Sequence, residues 1–165
     1  MAELGEKAGY SRGLPTHHFG SKAALLQKVA ETVIEEFRAQ VTNIQMEQVG
    51  LPVITAIIRQ YAEGSRTLHA KALLILTTRA LIDKSMQRTI AKLNQRGIST
   101  FEHQIRLGVE AGQIRPDIDP AHYANMIFSF LRGQLGLVAV ERKFENMAAC
   151  EAFIETLTHQ IKAPD

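Results

Sequence analysis

Side chains able to meet a phosphate or a base edge crowd into one stretch, GYSRGLPTHHFGSKAALL, residues 9–26. Arg12 offers a guanidinium that forks onto two acceptors, Thr16 a hydroxyl, His17 and His18 imidazoles, and Lys22 an ammonium. Such a set suits recognition of phosphates and base edges rather than bond making. His17 and His18 are neighbours, so on a helix they point about 100° apart and make a poor metal pair. His69, His103, His122 and His159 are scattered without ligand spacing. Cys150, the only cysteine, lies on an apolar stripe and reads as core rather than nucleophile. Gly133 and Gly136 read as packing positions, since no Gly-x-Gly-x-x-Gly follows a strand. Without paired carboxylates, a nucleophile–base set or a metal cluster, no enzyme, cofactor or metal is expected.

The backbone that holds the polar stretch is sharply punctuated. Residues 1–8 read as the end of a helix, and Gly9 suits the left-handed position just past it. Ser11 is a natural N-cap for a short helix through about His18. Pro15 falls at the edge of that helix's first turn, where it forfeits at most one backbone hydrogen bond. Gly20 and Ser21 then close the short helix and cap a long one. A short polar helix held out by a longer striped helix is how a helix-turn-helix presents side chains to the major groove.

Helical periodicity runs through the remainder. Leu25, Val29, Val33, Phe37, Val41 and Ile44 mark a helix from about Ser21 to Gln48, which Gly50 and Pro52 interrupt. Ile54, Ile57, Ile58 and Tyr61 form the next stripe, ending near Gly64. AKALLILTTRALI, residues 70–82, is apolar nearly all round and is expected in the middle of the fold. Met86, Ile90, Leu93, Phe101, Ile105 and Val109 predict a long helix with Gly97 as its weak point. In the connector GQIRPDIDP, Asp119 and Pro120 read as an N-cap and first helical residue. A last stripe holds Cys150, Phe153, Ile154, Leu157 and Ile161. No strand alternation or repeat is present, so the chain is expected to be all-α.

From Tyr123 to Val140 the run YANMIFSFLRGQLGLVAV has apolar residues on every face and must be covered on all sides. Either it is a central core helix, or one face meets a second copy of the chain. Only one more helix follows it, which favours an isologous four-helix contact. Ile127, Phe128, Leu131, Leu135 and Val138, with Phe153 and Leu157, are the expected interface positions.

Composition sets the outer limits. The 165 residues suit one domain, and 45% hydrophobic residues with 6% aromatics and no tryptophan imply an aliphatic core. No long uncharged apolar run or leader-like h-region occurs, so neither membrane span nor signal peptide is expected; with one cysteine, a cytoplasmic setting is. The formal net charge of +2 is too small to announce a nucleic-acid partner by itself, but residues 1–28 alone carry an equal excess.

AELGEKAGYSRGLPTHHFGSKAALL resembles the DNA-binding signature of the TetR-type transcriptional regulators. That pattern is an alanine-glycine turn, a serine-capped recognition helix, an aromatic near its end and a Ser-Lys opening the fourth helix. The resemblance implies that Ser11 caps the recognition helix, that Arg12, Thr16 and His17 face the groove or its flanking phosphates, that Lys22 meets a phosphate and that Tyr10 meets the DNA backbone. Phe19 would plug the short helix against the body. GQIRPDIDP and the apolar helix after it resemble, less specifically, the region in which the family's last two long helices form the dimer bundle. The helices between would bind an effector, with Phe37 and Tyr61 at positions that in the family often line its cavity; their place on apolar stripes favours core packing over ligand contact.

Two departures stand out. Pro15 and Thr16 replace the family's common leucine and tyrosine, and Thr16 reaches less far. The family's first helix is missing, because Met1 already falls inside the second; the expectation is that Met1 is internal to a longer reading frame or that the sequence is a trimmed product. Residues 1–28 are thus expected to be a partial helix-turn-helix region, and residues 29–165 a helical effector-binding and dimerisation domain. The function this implies is a homodimeric, ligand-responsive DNA-binding regulator, acting as a repressor, that binds operator DNA and a small apolar effector and no membrane. The alternative is a small-molecule-binding and dimerisation module that has lost DNA binding.

Overall fold

The computed structural model of the chain describes residues 21, 24–25, 28–32, 35, 48–141, 143–144 and 146–164. Five helices with defined bounds follow one another there: α1 (Leu51–Gly64), α2 (Leu68–Arg79), α3 (Lys84–Glu110), α4 (Pro120–Val140) and α5 (Asn146–Ile161). Residues 24–25, 28–32 and 35 are helical as well. The Ala24 N–H donates to Ser21 Oγ at 3.1 Å, so Ser21 caps this upstream helix as its sequence position suggests. Among the described residues no strand forms; Ile114 and Lys162 make one isolated antiparallel bridge.

Two apolar clusters organise these helices. The first gathers Ile54, Ile57 and Ile58 of α1, Phe101 and Ile105 of α3, Ile127 and Leu131 of α4, and Cys150, Ile154, Leu157 and Ile161 of α5. The second gathers Leu76 and Ala80 at the end of α2 with Met86, Ile90 and Leu93 of α3 and Ala30 of the upstream helix. Helix α3 therefore serves both, its first half one cluster and its second half the other. Its 27 residues span about 40 Å at about 1.5 Å per residue.

Helix ends show why the elements start where they do. Asp119 Oδ1 accepts from the N–H groups of Ala121 and His122 at 2.9 and 3.3 Å, with Pro120 in the first turn. Asp83 caps α3 in the same way, on Ser85 and Met86. Helix α1 lacks a capping side chain of its own, and α3 and the connector just after it supply the acceptors instead. The buried Gln104 takes the Gly50 N–H at 2.9 Å, and Gln113 takes that of Leu51 at 3.0 Å. Beyond α5, the Arg115 N–H donates to the Ile161 carbonyl and that of Ala163 to the Gln113 carbonyl, both at 3.0 Å.

Two expectations need correction. Helix α2 lies at an edge, not in the middle: Leu76 is its only buried residue, while Leu68 and Ile75 are 80% and 64% exposed. Leu81 and Ile82, just past its end, are equally bare. Nor does Gly97 weaken α3, which runs through it without a break. A Cβ there would overlap the Phe128 ring, so the missing side chain lets α3 and α4 approach closely.

Candidate ligand-binding site

Tyr10, Ser11, Arg12, Thr16, His17 and Lys22, the residues expected at DNA, lie outside the described residues, as does Phe37. Tyr61, the other expected ligand contact, is described. It sits half-buried on α1 against the first cluster. Its neighbourhood holds a polar grouping centred on an arginine.

The centre of that grouping is Arg132, on α4. Its Nη2 donates to Asn94 Oδ1 of α3 at 3.0 Å and to Thr77 Oγ1 of α2 at 3.2 Å. Its guanidinium carbon lies 5.6 Å from the centre of the Phe128 ring, one turn earlier on α4, within cation–π range. The Thr77 hydroxyl donates to the Leu73 carbonyl at 2.8 Å, so its oxygen is fixed as an acceptor towards the arginine. Burial pushes the Tyr61 phenol up, while the nearby Arg132 charge pulls it the other way. The phenol therefore keeps its proton at neutral pH.

Four helices thus send one residue each: Tyr61 from α1, Thr77 from α2, Asn94 from α3 and Arg132 from α4. The grouping lies where the two apolar clusters meet. Tyr61, Phe128 and Leu131 belong to or pack on the first; Leu73, Leu76 and Leu93, beside Thr77 and Asn94 in the chain, belong to or pack on the second. Every partner of the guanidinium is neutral, and among the described residues it makes no ion pair. Arg59 of α1 is engaged differently: it holds Glu151 of α5 through two contacts, at 2.6 and 2.9 Å.

Cys150 is fully buried, and burial pushes its thiol up, so it is a core side chain and a poor nucleophile. Among the described residues no three His, Cys, Asp or Glu side chains gather as a metal site, and no helix is long and apolar enough to cross a membrane.

The residues expected at a dimer contact fall into two groups. Ile127, Leu131, Leu135, Val138 and Leu157 are buried by the chain itself, so little of them remains for a second copy. Phe128 is half-buried against Gly97. Phe153 remains partly open and stacks on Phe130, with ring centres 3.9 Å apart and planes 9° from parallel.

No protein-family model matches the chain. It is 29% identical over 167 residues to the HTH-type transcriptional regulatory protein RaaS of Mycobacterium tuberculosis, covering 99% of this chain and 72% of that protein. Its fold matches a TetR-family transcriptional regulator from Cytophaga hutchinsonii with a TM-score of 0.76 and 16% identity, over 100% of this chain and 85% of the other. It likewise matches the transcriptional regulator FadR from Bacillus subtilis, solved in complex with stearoyl-CoA, with a TM-score of 0.71 and 14% identity, over 94% and 84% of the two chains. All three are named as regulators of transcription rather than enzymes.

Proposed function

We infer that this chain, TetR-type in its fold and not an enzyme, is a DNA-binding transcription regulator that pairs with itself and responds to a small molecule. The observation that carries the reading is a match to one helix-turn-helix regulator running through 99% of the chain, over a fold shared with TetR-family proteins. The polar signature at residues 9–26 then supplies the reading head and residues 29–165 the body. Repression is the sense in which binding acts, by occupying an operator. Two heads must meet half-sites about one helical turn apart.

The test is fluorescence anisotropy with the DNA flanking the chain's own gene, over a range of salt. Arg12→Ala is expected to weaken binding by about 1–3 kcal/mol and to relax sequence preference at one base pair. Lys22→Ala is expected to weaken all sequences alike and to lower the salt slope by about one. A folded chain that forms no complex even at low salt would instead favour the module that has lost DNA binding.

Pairing requires an apolar face left open. On α4, Met126, Phe130, Gly133 and Leu137 repeat at helical spacing, Leu137 is 48% exposed, and Phe153 of α5 lies on Phe130. A second copy related by a two-fold axis would cover this strip and form a four-helix contact. Leu137→Asp combined with Phe153→Asp is expected to convert a dimer to folded monomers in sedimentation experiments. An unchanged mass would place the contact elsewhere.

A further inference from the structure

We propose that the Arg132 cluster receives the carboxylate of an effector whose remaining body is apolar, a proposal that rests on the small-molecule response inferred above. The polarity of the cluster carries it. A partly buried guanidinium is costly to hold without a counter-charge, yet among the described residues this one meets a hydroxyl, an amide, a ring and the neutral Tyr61 phenol. Both of its hydrogen bonds leave from Nη2, and neither Nε nor Nη1 donates to a described residue. Thr77, its hydroxyl proton already committed to Leu73, anchors the group without neutralising it. The result is a fixed, charged donor whose planar fork matches a carboxylate.

The surroundings narrow the ligand further. Arg132 is the only charged residue between Tyr123 and Val140, so one positive charge matches one negative charge rather than a polyphosphate. The Tyr61 phenol, protonated at neutral pH, adds a neutral donor to the same place. Leu73, Leu76, Leu93 and Phe128, from the two clusters that meet there, favour a hydrocarbon or aryl body. A ligand wedged between those clusters would part the one that contains Ala30 from the one that contains α5, and so move the helix leading to residues 9–26.

Calorimetric titration of the full chain with straight-chain acids of increasing length and with the matching primary alcohols, below micelle-forming concentrations, tests this. An aryl acid and its alcohol serve as a second pair and distinguish the two kinds of body. At least one acid is expected to bind about tenfold or more tightly than its alcohol. Arg132→Gln is expected to abolish that preference, weakening acid binding far more than alcohol binding. Arg132→Lys, which keeps the charge without the fork, is expected to retain part of it, and Tyr61→Phe to lose a smaller part. Circular dichroism of each variant establishes that it is folded. No preference for acid over alcohol in either series, binding of neither, or an undiminished preference in folded Arg132→Gln overturns the proposal. Anisotropy with operator DNA is the separate readout: acid preference without DNA binding would retain this inference and defeat the regulator, and the reverse outcome would do the opposite.

Discussion

Gly50→Ala is expected to lower the unfolding free energy by about 2–5 kcal/mol, the sum of a strained backbone and a steric overlap. Gly50 has φ +77° and ψ −135°, a region that glycine enters freely and other residues do not. A Cβ there would lie 2.7 Å from the Gly108 Cα and overlap Gln113 Oε1. Neither neighbour can yield cheaply. Gly108 is backbone within α3, and the Gln113 oxygen already accepts the Leu51 N–H that begins α1. Moving it leaves a donor in the first turn of α1 without an acceptor, which adds to the loss. For a chain of this length the melting midpoint should fall by roughly 10 °C in a thermal scan. Gly64→Ala provides the opposite sign. That glycine lies in the last turn of the same helix with nothing within 4 Å of a new Cβ, and alanine should stabilise by up to about 1 kcal/mol. Equal shifts in both variants would mean that the turn before α1 adapts and that its geometry is not obligatory.

The contrast between those two glycines shows what the amino-acid order discloses by itself. Both look like helix punctuation at Gly50 and Gly64, and both do bound α1, but which one is held against another helix depends on residues far away in the chain. Local signals travelled well. The caps at Ser21 and Asp119, the stripe of Ile54, Ile57 and Ile58, and the final stripe through Ile161 all follow from spacing within one element. What spacing cannot say is which neighbour covers an apolar face. AKALLILTTRALI is greasy on all sides, and yet only Leu76 and Ala80 within it are buried, because α3 and α4 approach α2 from one direction. For the same reason Ile127 and Leu131 were open to either a partner chain or the chain's own core, and the core holds them.

Arg132 was legible in another sense. A single charge inside an otherwise uncharged run is visible in the sequence and demands a partner. Its partners, Thr77 and Asn94, lie 55 and 38 residues away, and nothing in their spacing links them to it. Tyr61 was chosen from family resemblance alone, and the structure supplies the physical reason to look there.

Phe101→Ala should produce the largest loss of all, about 3–5 kcal/mol, out of a total that for single domains is typically about 5–15 kcal/mol. The ring is 2% exposed and sits on the face of α3 that also carries Ile105 and Gln104. Its removal empties the cluster joining α1, α4 and α5, so the whole body should unfold earlier, with amide exchange rising in all of those helices together. Leu76→Ala should behave differently. Leu76 is the one buried residue of α2, an edge helix with Leu68 and Ile75 in solvent, so its loss should free α2 before anything else. Hydrogen exchange followed by mass spectrometry should then show α2 exchanging much faster while α4 and α5 barely change. Comparable acceleration in α4 and α5 would mean that both clusters melt as one unit. The distinction matters for signalling, because Leu76 shares its cluster with Ala30 and lies one residue from Thr77, an anchor of Arg132. An element with one buried side chain can be displaced at small free-energy cost, and here it links the anchor of Arg132 to the cluster that holds Ala30 of the upstream helix.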